Sequence, residues 1–346
     1  MIRVGVIGAT GYTGSELLRF IFSHGQIELT YVTSYSFAGK SLPEIHPHYR
    51  GVLEHVCASF SLEEAVDKTD LVFCALPHGE AMDLVPLLVE AGLKVIDLSA
   101  DFRLTNADTY LKWYKKEHCA PQYLGKAVYG LPEIYKQEIK NASFVANPGC
   151  YPTAVLLGLA PLAEQGLVDW ETLVVDAKSG TSGAGRVPST TLHFPECAEN
   201  FRAYKVAEHQ HTAEMEQELG RLAGKRVAFT FVPHLLPMVR GILCTFYLRP
   251  TVKIKENEVW DIYREFYRKE KFVRVLPAAL MPETRNVYGS NFCDIACKWD
   301  PRTGRLVILA AIDNLVKGAA GQALQNMNLM SGLKEEQGLQ LVPLRP

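Results

Sequence analysis

The residues with the most chemistry lie in one run, Asn147-Pro148-Gly149-Cys150-Tyr151-Pro152-Thr153. A strand-like stretch, residues 144–146, leads into it, and Pro148-Gly149 forces a sharp turn. An apolar helix is expected from about residue 151 to residue 165. Cys150 then sits at a helix N-terminus, where partial positive charge and unpaired N–H groups lower a thiol pKa and stabilise the thiolate. The same donors suit an oxyanion formed when a carbonyl is attacked. Cys74, Cys244, Cys293 and Cys297 fall in strands, where each is expected to serve as a small buried apolar residue.

A thiolate needs an acid–base partner. Glu208-His209-Gln210-His211-Thr212-Ala213-Glu214 opens a segment of helical period, with His211 and Glu214 three apart on one face. The Glu214 carboxylate would orient the imidazole. On that helix His209 and His211, two apart, would point about 200° away from each other, which argues against their joint ligation of a metal. The other such pair, His46-Pro47-His48, lies in a proline-rich loop. No metal is expected.

Anion-binding groups follow several strand-like runs. Arg103, in Ser99-Ala100-Asp101-Phe102-Arg103, stands just past one, placed for bidentate hold on a carboxylate or phosphate. Ser179-Gly180-Thr181-Ser182-Gly183-Ala184-Gly185-Arg186 offers hydroxyls, N–H groups and Arg186. Residues 233–241 bring His234 and Arg240 to a further edge. Together these describe a pocket for a doubly anionic substrate.

These groups need a scaffold, and its first piece is a nucleotide loop. The run Val4-Gly5-Val6-Ile7 passes into Gly8-Ala9-Thr10-Gly11-Tyr12-Thr13-Gly14, then into a helix beginning Ser15-Glu16-Leu17. Glycines there permit a tight turn and close approach of main-chain N–H groups to a diphosphate. The spacing is GxxGxxG, and the strand–loop–helix context gives it force. Glu28, near the distance of a ribose-binding carboxylate, opens the second strand rather than ending it. Ser34, Ser36 and Lys40 follow that strand and suit a 2′-phosphate, so NADP is favoured over NAD.

Strand-like and amphipathic runs alternate up to about residue 148, which predicts βαβ units and a mostly parallel, doubly wound Rossmann-type sheet. Longer strands with fewer helices follow, including runs at 173–178, 227–232, 242–249, 291–298 and 306–312. They predict an α+β domain with a mixed sheet. The expected division is an NADP-binding domain over 1–148, completed by the C-terminal helix 314–346, and a catalytic and substrate-binding domain over 149–313.

The chain of 346 residues has 48% hydrophobic and 21% charged side chains, ordinary for two globular domains. Its 36 basic and 38 acidic residues give a net charge of −2, so no nucleic-acid footprint is expected. The longest apolar stretch, 154–163, holds Gly158 and Pro161 and is about half of what spans a bilayer. No leader is expected before the first strand, and scattered cysteines without a CxxC pair suit a reducing compartment. The expectation is a cytoplasmic protein without a membrane partner.

A dinucleotide fold with an activated cysteine and no metal points to one reaction. The thiolate attacks an acyl phosphate, phosphate leaves, and NADPH delivers hydride to the thioester, with a protonated histidine as general acid. In three motifs the sequence resembles the N-acetyl-gamma-glutamyl-phosphate reductase family, in its longer-chain type: residues 8–14, residues 147–153, and His209-Gln210-His211 followed by Glu214. Residues 99–103, 179–186, 233–241 and 313–323 match in order across nearly the whole chain. Thr212-Ala213 departs from the proline many relatives carry before the Glu.

The resemblance implies NADPH-dependent reduction of N-acetyl-L-glutamyl 5-phosphate in arginine biosynthesis, with Cys150 as nucleophile. The acid–base histidine would come from His209 and His211, and His211 is favoured because Glu214 shares its face. It further implies that Asn314 and Gly318 lie beside the nicotinamide, with Ser182 and Gly183 at the cofactor, and that the protein is a dimer or tetramer. Arg103, Ser179, Arg186, His234 and Arg240 are the expected substrate contacts. The competing readings are an aspartate-semialdehyde dehydrogenase-like enzyme and a non-catalytic NADP-binding sensor.

Overall fold

A computed structural model describes residues 1–345. The chain forms two compact units, one of Met1–Pro148 with Ala319–Gln340, the other of Gly149–Gly318 with the residues from Leu341 onward. Residues 314–318, expected with the first unit, belong to the second, so the chain crosses back between Gly318 and Ala319.

The first unit is built on six parallel strands: β1 (Ile2–Ile7), β2 (Ile27–Thr33), β3 (Leu71–Cys74), β4 (Lys94–Asp97), β5 (Val128–Tyr129) and β6 (Phe144–Ala146). Their order is β2-β1-β3-β4-β6-β5. All of β3 and β6 is buried, as apolar runs covered on both faces should be. The chain leaves β1 for β2 on one side and later places β3 on the other. That makes the carboxyl ends of β1 and β3 a topological switch point, where such sheets bind ligands. The helices Leu62–Lys68 and Ala107–Tyr114 each bury a single residue, so hydrophobic period marks them poorly in the sequence.

The C-terminal helix expected over 314–346 is broken and ends at Met330. A π-turn, Val316–Ala320, precedes an α-helix, Gly321–Met330, all of which is buried in the first unit. Several of its polar side chains are matched there. Asn326 Nδ2 donates to Gly130 O and Asn328 Oδ1 lies 2.8 Å from His24 Nε2. Such pairing lets amides sit inside without a desolvation penalty.

The second unit has a mixed seven-stranded sheet, β7 (Val174–Ser179), β8 (Arg202–Ala203), β9 (Thr230–Leu235), β10 (Ile242–Leu248), β11 (Val273–Val275), β12 (Cys293–Asp300) and β13 (Arg305–Ile312). The order is β11-β12-β13-β10-β7-β9-β8. The strand expected at 227–232 starts three residues later, at Thr230. The helix Cys150–Glu164 covers one face and buries every residue from Tyr151 to Ala163. Gly158 makes that possible, because a Cβ there would lie 2.6 Å from the Phe246 ring. The helices His211–Ala223 and Glu256–Phe266 pack beside it. On the other face Val174, Leu243, Tyr247, Val307 and Leu309 stay half-buried. Among the described residues no helix is long and apolar enough to cross a membrane.

Candidate active site

In the first unit, two glycines of the loop after β1 are needed by the backbone itself. Gly8 takes φ +84°, and a Cβ there would meet Ala75 O at 2.4 Å; at Gly14 it would meet Gly8 O at 2.5 Å. Gly11 differs. A Cβ on it would find nothing nearer than Gly8 O at 3.9 Å, so its bare backbone faces open space.

Gly11 is the N-cap of the helix Tyr12–Ser23, which has no side-chain cap. The N–H groups of Tyr12, Thr13 and Gly14 are thus first-turn donors facing the loop. Thr10 Oγ1 and Ser34 Oγ lie 2.9 Å apart and tie the loop to the end of β2. Ser36 and Lys40 are exposed just beyond. Glu28 pairs with Arg3 at the far end of β2, while Thr33 pairs with Ile7 at the loop end. This cradle fits a dinucleotide diphosphate, with hydroxyls and an ammonium rather than a carboxylate past the strand end.

The loop after β4 is buried where the sequence suggested an open ligand edge. Asp101, fully buried, accepts from Gly79 N (2.7 Å), Ala81 N (3.1 Å) and Tyr110 OH (2.7 Å), which fixes the turn ahead of the helix Ala81–Glu90. Asp97 accepts from Ser99 N and Oγ, and burial pushes its carboxyl up to about 7. Arg103 is 8% exposed and donates to Asn147 O and Leu98 O, each at 2.8 Å. Its guanidinium braces main chain inside this unit.

In the second unit Cys150 is the first residue of its helix, half-buried, after the N-cap Gly149. The Glu214 carboxylate, 1% exposed, accepts the Gly149 N–H at 2.9 Å. That bond fastens the helix His211–Ala223 to the turn that presents Cys150. Sequence placed Glu214 beside His211 but gave no sign of Gly149, which lies 65 residues away. Gly318 backs the cysteine: a Cβ on it would stand 2.7 Å from Cys150 Cβ and 3.1 Å from its Cα.

The histidines do not diverge. The helix begins at His211, so His209 lies before it on non-helical chain, and the two rings are 4.8 Å apart. His209 Nδ1 accepts the His211 N–H at 3.2 Å, which leaves its proton on Nε2. Rings of Tyr151, Tyr204 and Phe231 enclose it at 5.5–5.6 Å. Burial first, then Lys205, pulls the His209 pKa down to about 4. His211 is half-buried. Tyr204 OH donates to Tyr151 OH, which donates to His234 O, and burial pushes Tyr204 up to about 12 and Tyr151 higher still. Tyr204 is a contributor that residue spacing did not mark.

A neutral buried His209 has a consequence for stability. It protonates at about 4 when folded against 6.5 for the unperturbed group. Between those values the unfolded chain holds the extra proton. Its contribution is complete above about pH 6.5 and falls away toward pH 4, by roughly 3 kcal/mol in all. Asp97 runs the other way, since its folded pKa is raised and stability is lost as pH rises toward 7. Urea midpoints of His209→Phe and of the native protein are expected to converge as pH falls from 6.5 to 4. A constant gap would mean the ring protonates alike in both states.

The remaining candidates form a brace. Asn314 Nδ2 donates to Ser182 Oγ (2.9 Å), and Asn314 Oδ1 accepts from Gly241 N (2.7 Å). Arg240 lies 3.7 Å from buried Asp313, which also accepts from Gly289 N and Leu315 N. Ser179 Oγ donates to Gly180 O, and a Cβ on Gly183 would lie 3.3 Å from that hydroxyl. His234 Nδ1 is 3.1 Å from Asp176. Arg186 lies in an exposed stretch.

Both units match semialdehyde dehydrogenases. The family described as "Semialdehyde dehydrogenase, NAD binding domain" matches residues 3–142, and "Semialdehyde dehydrogenase, dimerisation domain" matches residues 150–314. In fold the chain is similar to aspartate semialdehyde dehydrogenase II from Vibrio cholerae, with TM-score 0.72 and 18% identity over 96% of this chain and 99% of that one. The Candida albicans enzyme, solved with NADP, gives TM-score 0.69 and 15% identity over 96% and 99%. Sequence narrows the class. N-acetyl-gamma-glutamyl-phosphate reductases of Desulforudis audaxviator and Desulforamulus reducens are 50% and 51% identical over the full length of both chains. That of Pelotomaculum thermopropionicum is 52% identical over 98% of this chain and 97% of its own. The chain belongs to the N-acetyl-gamma-glutamyl-phosphate reductase family.

Proposed function

We propose that the chain reduces N-acetyl-L-glutamyl 5-phosphate to N-acetyl-L-glutamate 5-semialdehyde and phosphate, the arginine-biosynthetic step, through a thioester on Cys150. The observation that carries this reading is the Glu214–Gly149 bond, which joins the histidine-bearing helix start to the turn of the cysteine. Cys150 Sγ attacks the acyl carbon, the C–O bond to phosphate breaks, and phosphate leaves with the electron pair. N–H groups at the helix start hold the developing oxyanion. NADPH, in the glycine-loop cradle, supplies the hydride that reduces the thioester. Collapse of the resulting hemithioacetal breaks the C–S bond, frees the aldehyde and returns the thiolate.

His209, neutral and accepting the His211 N–H at its Nδ1, is the positioning member of the pair. His211 is the acid–base group, giving the proton that ends on phosphate. Arg186, Arg240, His234 and Ser179 supply the polar wall for the substrate's carboxylate and phosphate, and Ser182, Gly183 and Asn314 the loop beside the cofactor. The half-buried sheet face around Val174, Leu243, Tyr247 and Leu309 supports a homodimer or homotetramer, in keeping with the dimerisation domain matched there. The setting is cytoplasmic.

The test is phosphate-dependent reduction of NADP with N-acetylglutamate semialdehyde, run beside aspartate semialdehyde. A preference for the acetylated substrate of at least about a hundredfold in kcat/KM is expected. Preference for aspartate semialdehyde would move the chain to that activity. Tight NADPH binding with neither substrate turned over would make it a sensor.

A further inference from the structure

We propose that Asn147 is a positioning residue for catalysis: it clasps, within the first unit, the two stretches of chain that lead to Cys150 and to Gly318. The inference rests on the reading of Cys150 as nucleophile.

Asn147 is 1% exposed, and all four of its polar groups are engaged, each by a different segment. Its N–H donates to Asp97 O at 2.7 Å, and its carbonyl accepts from Arg103 Nε at 2.8 Å. Its side-chain Nδ2 donates to Ala319 O at 3.2 Å, and its Oδ1 accepts from Asn326 Nδ2 at 3.0 Å. A side chain here must give one hydrogen bond and take another in opposite directions, which a carboxamide does and few other groups can.

The placement gives this saturation a purpose. The chain leaves the first unit after Pro148 and returns at Ala319. Cys150 is three residues past Asn147, and three residues of extended chain reach about 10 Å at most. Gly318 immediately precedes Ala319 and, in the second unit, touches Cys150 with no room for a Cβ. The Asn147–Ala319 bond thus ties the chain just ahead of the sulfur to the chain just beyond its backstop. Arg103, buried on the Asn147 carbonyl, holds the third side of the same knot. If the knot slackens, the cysteine and its backstop lose a common reference, and displacement of a reacting group by about 1 Å costs on the order of a hundredfold in rate.

Asn147→Asp keeps the shape but loses the donor and sets an oxygen against Ala319 O. Its kcat is expected to fall roughly 30- to 100-fold, with KM for the acyl phosphate and Kd for NADPH within about threefold of native. A purely structural role would lower Tm and leave kcat of the folded enzyme intact well below it. That result overturns the proposal, as does a joint fall of kcat and NADPH affinity. Should Asn147→Asp not fold, Asn326→Ala, which frees the Oδ1 side of the clasp and also removes the donor to Gly130 O, decides: about tenfold lower kcat at native KM supports the clasp, and native kcat refutes it. Cys150→Ser is measured in parallel. Full turnover by that variant would sink the nucleophile reading and this inference with it, whereas a dead Cys150→Ser beside a fully active Asn147→Asp sinks only the inference.

Discussion

Cys150→Ala is expected to retain less than about one ten-thousandth of native turnover while the Kd for NADPH stays within about twofold. The two halves of that expectation come from different units. The glycine-loop cradle is complete in residues of the first unit, and Cys150 belongs to the second. Alanine is a good helix former at the opening position, and the sulfur is only half-buried, so the fold should persist. Without the thiolate no thioester forms, and hydride would have to reduce the acyl phosphate directly. Initial rates beside a fluorescence titration with NADPH check both halves. Iodoacetamide labelling at neutral pH gives a third readout. Burial pushes the Cys57 and Cys119 thiols up to about 11 and Cys74 and Cys244 higher still, so these compete weakly for the reagent. Loss of turnover and NADPH affinity together would make the sulfur structural.

Gly318→Ala should also damage the rate, less severely and by a different route. The added methyl would sit 2.7 Å from Cys150 Cβ, 3.1 Å from its Cα and 3.4 Å from Ile312 Cδ1. Two of those three are at or beside the nucleophile, one of them backbone, so relief requires the first turn of its helix to move. Overpacking of this kind costs roughly 1–3 kcal/mol of stability. The sulfur is then displaced by several tenths of an ångström, for an expected fall in kcat of about a hundredfold. The measurement is kcat alongside a thermal midpoint, and a stable variant with native kcat would show that the cysteine tolerates displacement. The family resemblance implied a place for Gly318 beside the nicotinamide; the geometry gives it a second task as the wall behind the thiol.

What could be read from residues alone was what short stretches determine. The glycine loop is legible because strand, turn and helix start follow one another within about a dozen residues. Cys150 is legible because Pro148-Gly149 and the apolar run after it announce a turn and a helix. His209 was misplaced because helical period was extended two residues too far back. Once the helix starts at His211, the rings face each other. The bonds of Glu214 and Asn147 escape for a common reason, that the partners are remote in sequence: Gly149 in the one case, Ala319 and Asn326 in the other. Arg103 reads as a guanidinium at a strand edge, and only the fold shows that it also donates to the Asn147 and Leu98 carbonyls. The π-turn at 316–320 follows Asp313, whose carboxylate takes the Leu315 and Val316 N–H groups and interrupts what the composition suggests is one continuous helix.

Because the helix Gly321–Met330 lies in the first unit while 170 residues of the other intervene, the order of synthesis matters. A nascent chain emerging from the ribosome has β1 to β6 long before the helix that buries Gln322, Gln325, Asn326 and Asn328 among them. Until then Gly130 O and the Asn147 carboxamide lack their Asn326 partner. The nucleotide-binding half is therefore finished last although it is made first, and a chain truncated before Ala319 would emerge with that half incomplete.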